Sequence, residues 1–124
     1  MILKHVALTC SSEENADRFY RDLLGLEKLN RKTLSAELSR QIFDLDMELP
    51  IINYANDQMH FEIFITDTLN VDDRKIAHTC IEVEDLKEFL ARCRNIGGTI
   101  RQVPKGDKTV TFIADPDGNL FEVT

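Results

Sequence analysis

Leu3-Lys4-His5-Val6-Ala7-Leu8-Thr9-Cys10 and, 73 residues further on (78 − 5), Lys75-Ile76-Ala77-His78-Thr79-Cys80-Ile81-Glu82-Val83 share one pattern: a short apolar strand with a histidine in its first half. Each is followed by the same grammar. After the first come the caps Ser11 or Ser12, acidic Glu13 and Glu14, and then Ala16, Phe19, Tyr20, Leu23 and Leu24 at helical spacing up to Gly25. After the second come the cap Asp85, then Leu86, Phe89, Leu90, Cys93 and Ile96 up to Gly97-Gly98. Gly25 to Gly97 is an offset of 72 (97 − 25), so strand and helix repeat at almost the same distance, as a duplicated unit requires.

Shorter strand-like stretches follow each helix. In the first half these are Glu27 to Arg31, Gln41 to Met47 and Met59 to Thr66; in the second they are Thr99 to Val103, Thr109 to Ala114 and Leu120 to Thr124. Each half therefore reads β-α-β-β-β. Lys32 to Arg40 stays open between loop, strand and a short helical turn, and Glu48 to Gln58, with Pro50 and Asn56-Asp57, reads as a long connection. Pro104-Lys105-Gly106-Asp107 and Asp115-Pro116-Asp117-Gly118-Asn119 are turn signals before the last strands. The expected class is α+β, two tandem βαβββ modules forming a curved, barrel-like mixed sheet. One domain over 1–124 is expected, with module 1 at 1–66, a linker at 67–74 and module 2 at 75–124, because 124 residues are too few for two independent domains.

Composition excludes several classes. Hydrophobic residues at 43% and charged residues at 30% describe a globular chain rather than a disordered one. A net charge of −7 repels phosphate backbones and anionic lipid, so neither nucleic acid nor membrane is an expected partner. Lys4 and His5 interrupt the first apolar run, no stretch approaches a membrane span, and the expected compartment is the cytoplasm. Cys10, Cys80 and Cys93 have no C-x-x-C spacing and read as small buried hydrophobes.

The chemistry lies in a second repetition. Both halves close on a Phe-Glu-aliphatic strand, Phe61-Glu62-Ile63 and Phe121-Glu122-Val123. Alternate strand residues share a face, so Glu62 and Glu122 point away from their apolar neighbours. Two histidines and two carboxylates at matching places, His5, Glu62, His78 and Glu122, form a donor set for one divalent ion such as Ni, Co, Zn, Fe or Mn, with positions open for water or substrate. His60 shares a face with Glu62, but its counterpart by the offset of Glu62 to Glu122, 60 residues (122 − 62), is Leu120, so packing or substrate contact suits it better than ligation.

His5-Val6-Ala7-Leu8, Phe19-Tyr20-Arg21-Asp22-Leu23-Leu24-Gly25-Leu26, Ala77-His78, Val83-Glu84-Asp85-Leu86 and Asp115-Pro116-Asp117-Gly118-Asn119-Leu120-Phe121-Glu122 together resemble the glyoxalase/bleomycin-resistance/dioxygenase family of the vicinal oxygen chelate (VOC) superfamily. The resemblance covers the whole chain. It implies paired βαβββ modules around a divalent metal that chelates neighbouring substrate oxygens. The His, Glu, His, Glu set is most similar to glyoxalase I (lactoylglutathione lyase). Extradiol dioxygenases and fosfomycin-resistance transferases typically carry His, His, Glu; methylmalonyl-CoA epimerases often have Gln at the second position; and bleomycin-binding members lack the ligands. The implied reaction is proton transfer through an enediolate on a hemithioacetal of methylglyoxal and a thiol. Glu122 is the better base and Glu62 the second, and one of Arg18, Arg31, Arg40, Arg74, Arg101 and Lys105 could meet an anionic thiol carrier. The alternatives are another metalloenzyme of the superfamily (epimerase, dioxygenase or resistance enzyme) or a non-catalytic small-molecule-binding protein. The expected partners are a small-molecule substrate and a second copy in a homodimer, with the metal site formed within one chain or across two.

Overall fold

The computed structural model describes residues 3–68 and 77–124, and the chain divides into two compact units, Met1–Leu69 and Asn70–Thr124. In the first unit, β1 (Val6–Cys10) leads into α1 (Glu13–Ala16) and a π-wound continuation, Asp17–Leu23. Then follow β2 (Glu27–Leu34), α2 (Ala36–Phe43), β3 (Leu49–Ala55) and β4 (His60–Ile65). The second unit runs β5 (His78–Ile81), α3 (Leu86–Asn95), β6 (Thr99–Lys105), β7 (Lys108–Ala114) and β8 (Leu120–Val123). Each unit builds its own four-stranded sheet, ordered β1-β4-β3-β2 in one and β5-β8-β7-β6 in the other. In both, the first strand lies parallel to the last and the remaining pairs are antiparallel. The class is α+β, with two open mixed sheets of identical strand order. Most of the expected linker 67–74 lies outside the described residues.

Local chemistry accounts for the element ends. Ser12 caps the first helix by accepting from the Asn15 N–H, and Asp85 caps α3 by accepting from the Glu88 N–H. Gly25 and Gly97 end the two helical segments at φ 71° and 75°, a left-handed backbone that a side chain would strain. The β6–β7 hairpin turns on Gly106-Asp107 with Gly106 at φ 61°, so β6 continues through Pro104 and Lys105, which the sequence places in the turn.

Two stretches depart from the sequence reading. Gln41 to Met47 is not a strand: Gln41–Phe43 ends α2, whose cap Ser35 accepts from the Leu38 N–H. A Glu37–Gln41 side-chain bond at i, i+4 supports that helix, and Asp44 closes it at φ 58°. The strand lies instead in Glu48 to Gln58, as β3, with Pro50 one residue from its start, where a missing N–H costs least. The first unit therefore carries one helix more than a bare βαβββ module. The first strand is also shorter than expected, so His5 stands one residue before β1 and His78 is the first residue of β5.

Each sheet has one face against a helix. In the first unit Tyr20 stacks on Tyr54 at 5.5 Å and meets Phe61 at 5.5 Å, with Phe19, Leu23 and Ile63 buried nearby in sequence. Asp17 ties this helical segment to the sheet: the Tyr54 hydroxyl donates to its carboxylate at 2.7 Å and Lys28 approaches at 3.0 Å. Burial pushes the Asp17 carboxyl up, but the hydrogen bonds from Tyr54 and Lys28 and the charges of Lys28 and Arg21 outweigh it and hold the group below the usual carboxylate range. A lowered folded pKa contributes stability that is present above the unfolded value, near 3.8, and is lost as pH falls through the folded one. Tyr54→Phe is expected to lower stability at neutral pH by about 1.5–3 kcal/mol, the usual range for a hydrogen bond to a charged group. Urea titrations should show the gap between variant and wild type narrowing below about pH 4. A loss under about 0.5 kcal/mol at pH 7 would remove the anchor role.

Candidate functional site

The opposite face of each sheet holds the candidate ligands, and strand register puts them there. In the first unit Glu62 is paired with Ala7, two residues beyond His5; in the second Glu122 is paired with Cys80, two residues beyond His78. Paired residues of parallel strands share a face, and so do residues i and i+2, so each histidine and its glutamate stand together on one face. His5 Nε2 lies 3.4 Å from Glu62 Oε2, and His78 Nε2 lies 3.6 Å from Glu122 Oε2. All four side chains are partly solvent-accessible, from 24% for Glu62 to 43% for His5.

These separations are long for hydrogen bonds. They do fit two donors of one cation: with bonds of about 2.0–2.2 Å and angles between octahedral and tetrahedral, donor atoms stand about 2.8–3.6 Å apart. Each unit thus brings one imidazole nitrogen and one carboxylate oxygen together at matching register. Within the described residues no three His, Cys, Asp or Glu side chains form a metal-holding group, and each unit brings together one His–Glu pair.

The surroundings of the two pairs differ. In the first unit, Asn53 is the neighbour of Glu62 on β3. It is 3% exposed, gives a hydrogen bond through Nδ2 to Asn30 Oδ1 at 2.9 Å, and stands with its Oδ1 2.6 Å from His60 Nε2. The His60 ring meets the His5 ring edge-on, centroids 5.8 Å apart. Further along the same face Leu49, Ile51 and Phe64 form an apolar cluster covered by Leu34, Leu45 and Met47, and Phe43 of α2 sets its ring edge against Phe64. The extra helix and the chain after it fill that end of the face.

In the second unit, the residue equivalent to Asn53 is Phe112, the β7 neighbour of Glu122, and its ring meets His78 edge-on at 5.4 Å. Here the corresponding end of the face is open. A groove of about 500 Å³ is lined by His78, Leu120, Phe112, Val110 and Val103 together with Arg101 and Lys105. It joins an apolar floor to two cations within the size range of small-molecule sites.

Sequence reasoning missed four residues here. Asn53 lay in a stretch taken for a connection; its signal was a single amide inside Ile51-Ile52-Asn53-Tyr54. Asn30 and Phe112 become visible only through register. Cys80 corrects the expectation of buried cysteines: Cys10 and Cys93 are buried, but Cys80 is exposed, because position i+2 from His78 puts it on the polar face beside Glu122. None of the three is in a disulfide. Of the basic residues expected near a thiol carrier, Arg101 lines the groove with Lys105. Arg31 pairs with Glu13 and Arg40 with Asp46, while Arg74 lies outside the described residues.

Residues 2–123 match the family model described as Glyoxalase/Bleomycin resistance protein/Dioxygenase superfamily, and the chain belongs to that family. It is similar to "Probable lactoylglutathione lyase, chloroplastic" of Arabidopsis thaliana, 29% identical over 96% of this chain but only 34% of that protein, so it spans about a third of that relative's length. It is also similar to "Probable lactoylglutathione lyase" of Synechocystis, 23% identical over 99% of this chain and 94% of that protein. Among solved structures, the fosfomycin resistance protein FosX from Mesorhizobium loti shares the fold, with a TM-score of 0.71 at 16% identity over 99% of this chain and 91% of that one. No helix among the described residues is long and apolar enough to cross a membrane.

Proposed function

We propose that the chain is a metal-dependent lyase of the glyoxalase I type, acting on the hemithioacetal of a small α-oxo aldehyde, such as methylglyoxal, with a thiol. One observation carries the reading: two His–Glu pairs at equivalent register, each with donor atoms spaced for a shared cation. In this proposal the two units form one domain, and His5, Glu62, His78 and Glu122 surround one divalent ion, Ni, Co, Zn, Fe or Mn. The four come from a single chain or from two chains of a homodimer. When bound, the ion supplies Lewis-acid polarisation of two neighbouring substrate oxygens.

The chain's own residues do the rest. Glu122 takes the proton from the carbon bearing the thiol and returns it to the adjacent carbon, forming the 2-hydroxy thioester; Glu62 is the second candidate. Leu120 and Phe112, beside Glu122 in the second sheet, present apolar surface that limits water around the migrating proton. The groove of the second unit carries the substrate, since the equivalent region of the first is filled by residues around α2. Arg101, across β6 and β7 from Phe112, and Lys105, beside the hairpin, line the groove and suit a carboxylate of the thiol carrier. The names of the curated relatives, probable lactoylglutathione lyases, support the lyase reading.

The test is metal analysis of the purified protein, followed by a hemithioacetal isomerase assay with Ni²⁺, Co²⁺ and Zn²⁺ restored in turn to stripped protein. The expected result is no thioester formation without metal and recovery with at least one ion. Full occupancy without isomerase activity would rule out the glyoxalase I reaction and favour another metalloenzyme of the superfamily or a binding protein. A chain that takes up no divalent ion would remove the metal site.

A further inference from the structure

Each candidate ligand imidazole has an aromatic edge against it, but the two units supply it by different chemistry. In the second unit the edge comes from Phe112, on the strand beside Glu122. In the first unit the position equivalent to Phe112 is Asn53, too small to reach as a ring. The edge against His5 comes instead from His60, two residues before Glu62 on β4, at 5.8 Å and an interplanar angle of 63°.

His60 is in turn held. Asn53 is buried and spends its Nδ2 on Asn30, which leaves Oδ1 as the atom facing His60 Nε2 at 2.6 Å. An amide oxygen only accepts, so His60 carries its proton on Nε2 and donates. The chain Asn30–Asn53–His60 therefore fixes both the tautomer and the rotation of the His60 ring. Neither Asn53 nor His60 has a counterpart of its kind in the second unit, where Leu120 stands at the place of His60 and Phe112 at that of Asn53.

We infer that His60 is a positioning residue: clamped by Asn53, it holds the His5 ring in the orientation that sets Nε2 3.4 Å from Glu62 Oε2. The inference rests on the metal reading proposed above. Groups that orient a ligand histidine without touching the ion commonly change metal affinity by about ten- to a hundredfold when removed. His60 does this through a ring contact rather than a hydrogen bond to His5.

Metal-free full-length protein is titrated calorimetrically with Ni²⁺ alone, as wild type, His60→Ala and His60→Phe. In parallel, the histidine ring resonances of the metal-free proteins are recorded by ¹⁵N-edited NMR. His60→Ala is expected to weaken nickel binding by about ten- to a hundredfold while the far-ultraviolet circular dichroism stays that of wild type, and the His5 ring resonances should shift. His60→Phe, which restores an edge of the kind Phe112 gives His78, should recover most of the affinity; a merely structural role for the Asn53 hydrogen bond predicts no such rescue. Wild-type affinity and unmoved His5 resonances in His60→Ala would overturn the inference, as would His60→Phe binding as weakly as His60→Ala. A wild type that binds no nickel, with His5 resonances that still answer to His60→Ala, would refute the metal reading and leave the ring contact standing.

Discussion

Glu122→Gln is expected to lower hemithioacetal turnover by about a hundred- to ten-thousandfold at saturating metal, the range that a positioned general base contributes. The substitution keeps the shape and one oxygen donor but removes the group that accepts the proton. Glu122 lies at the middle of β8 between Cys80 on one neighbouring strand and Phe112 on the other, and it is partly exposed, so an amide fits without disturbing the sheet. Nickel affinity should fall as well, since a neutral oxygen is a weaker donor than a carboxylate, and for that reason the comparison is made with metal in excess. Glu62→Gln separates the roles. Under the proposed assignment it weakens metal binding but leaves more turnover than Glu122→Gln once metal is saturating. If the order of the two losses is reversed, Glu62 is the base. Wild-type turnover in Glu122→Gln with metal bound would remove Glu122 from the chemistry.

The duplication was legible in the sequence because its marks are local. A strand histidine, a capped helix ended by glycine and a Phe-Glu strand each declare themselves within a few residues; an offset of 72 or 73 links the copies of strand and helix, and one of 60 (122 − 62) links the two Phe-Glu strands. The same locality explains the errors. Gln41 to Met47 has enough apolar residues to pass for a strand, and only the Ser35 cap and the Leu38–Ile42 spacing reveal the helix. Pro50 and Asn56-Asp57 made β3 look like a loop, although the proline stands near the strand start and the turn lies beyond its end. What no local pattern carries is register across 40 to 60 residues of chain. That register makes Glu62 face with His5 and Glu122 with His78, and makes Asn53 and Phe112 occupants of one structural position.

Asp115→Ala is expected to cost about 3 kcal/mol or more of stability and to disorder the site strand, because the Asp-Pro-Asp-Gly-Asn segment is a register lock for β8. Asp115 is 4% exposed, and its carboxylate accepts from the N–H of Asp117 at 3.0 Å, the N–H of Asn119 at 2.9 Å and the Asn119 side-chain amide at 2.7 Å. The main chain closes the same loop, with the Asp115 N–H donating to the Asn119 carbonyl and Gly118 turning at φ 85°. Charge-assisted bonds of this kind contribute about 1.5–3 kcal/mol each, and their loss would leave the amide of Asn119, itself 8% exposed, without this partner. The functional consequence follows from strand period: a slip of one residue in β8 would turn Glu122 to the helix side and bring Phe121, fully buried now, to the groove. Urea unfolding of Asp115→Ala measures the first effect and nickel titration of the folded fraction the second. Asp115→Asn, which keeps an acceptor but not the charge, should fall between the variant and wild type in both. A midpoint within about 0.5 kcal/mol of wild type for Asp115→Ala, with nickel affinity intact, would show that the turn follows the strand rather than setting it.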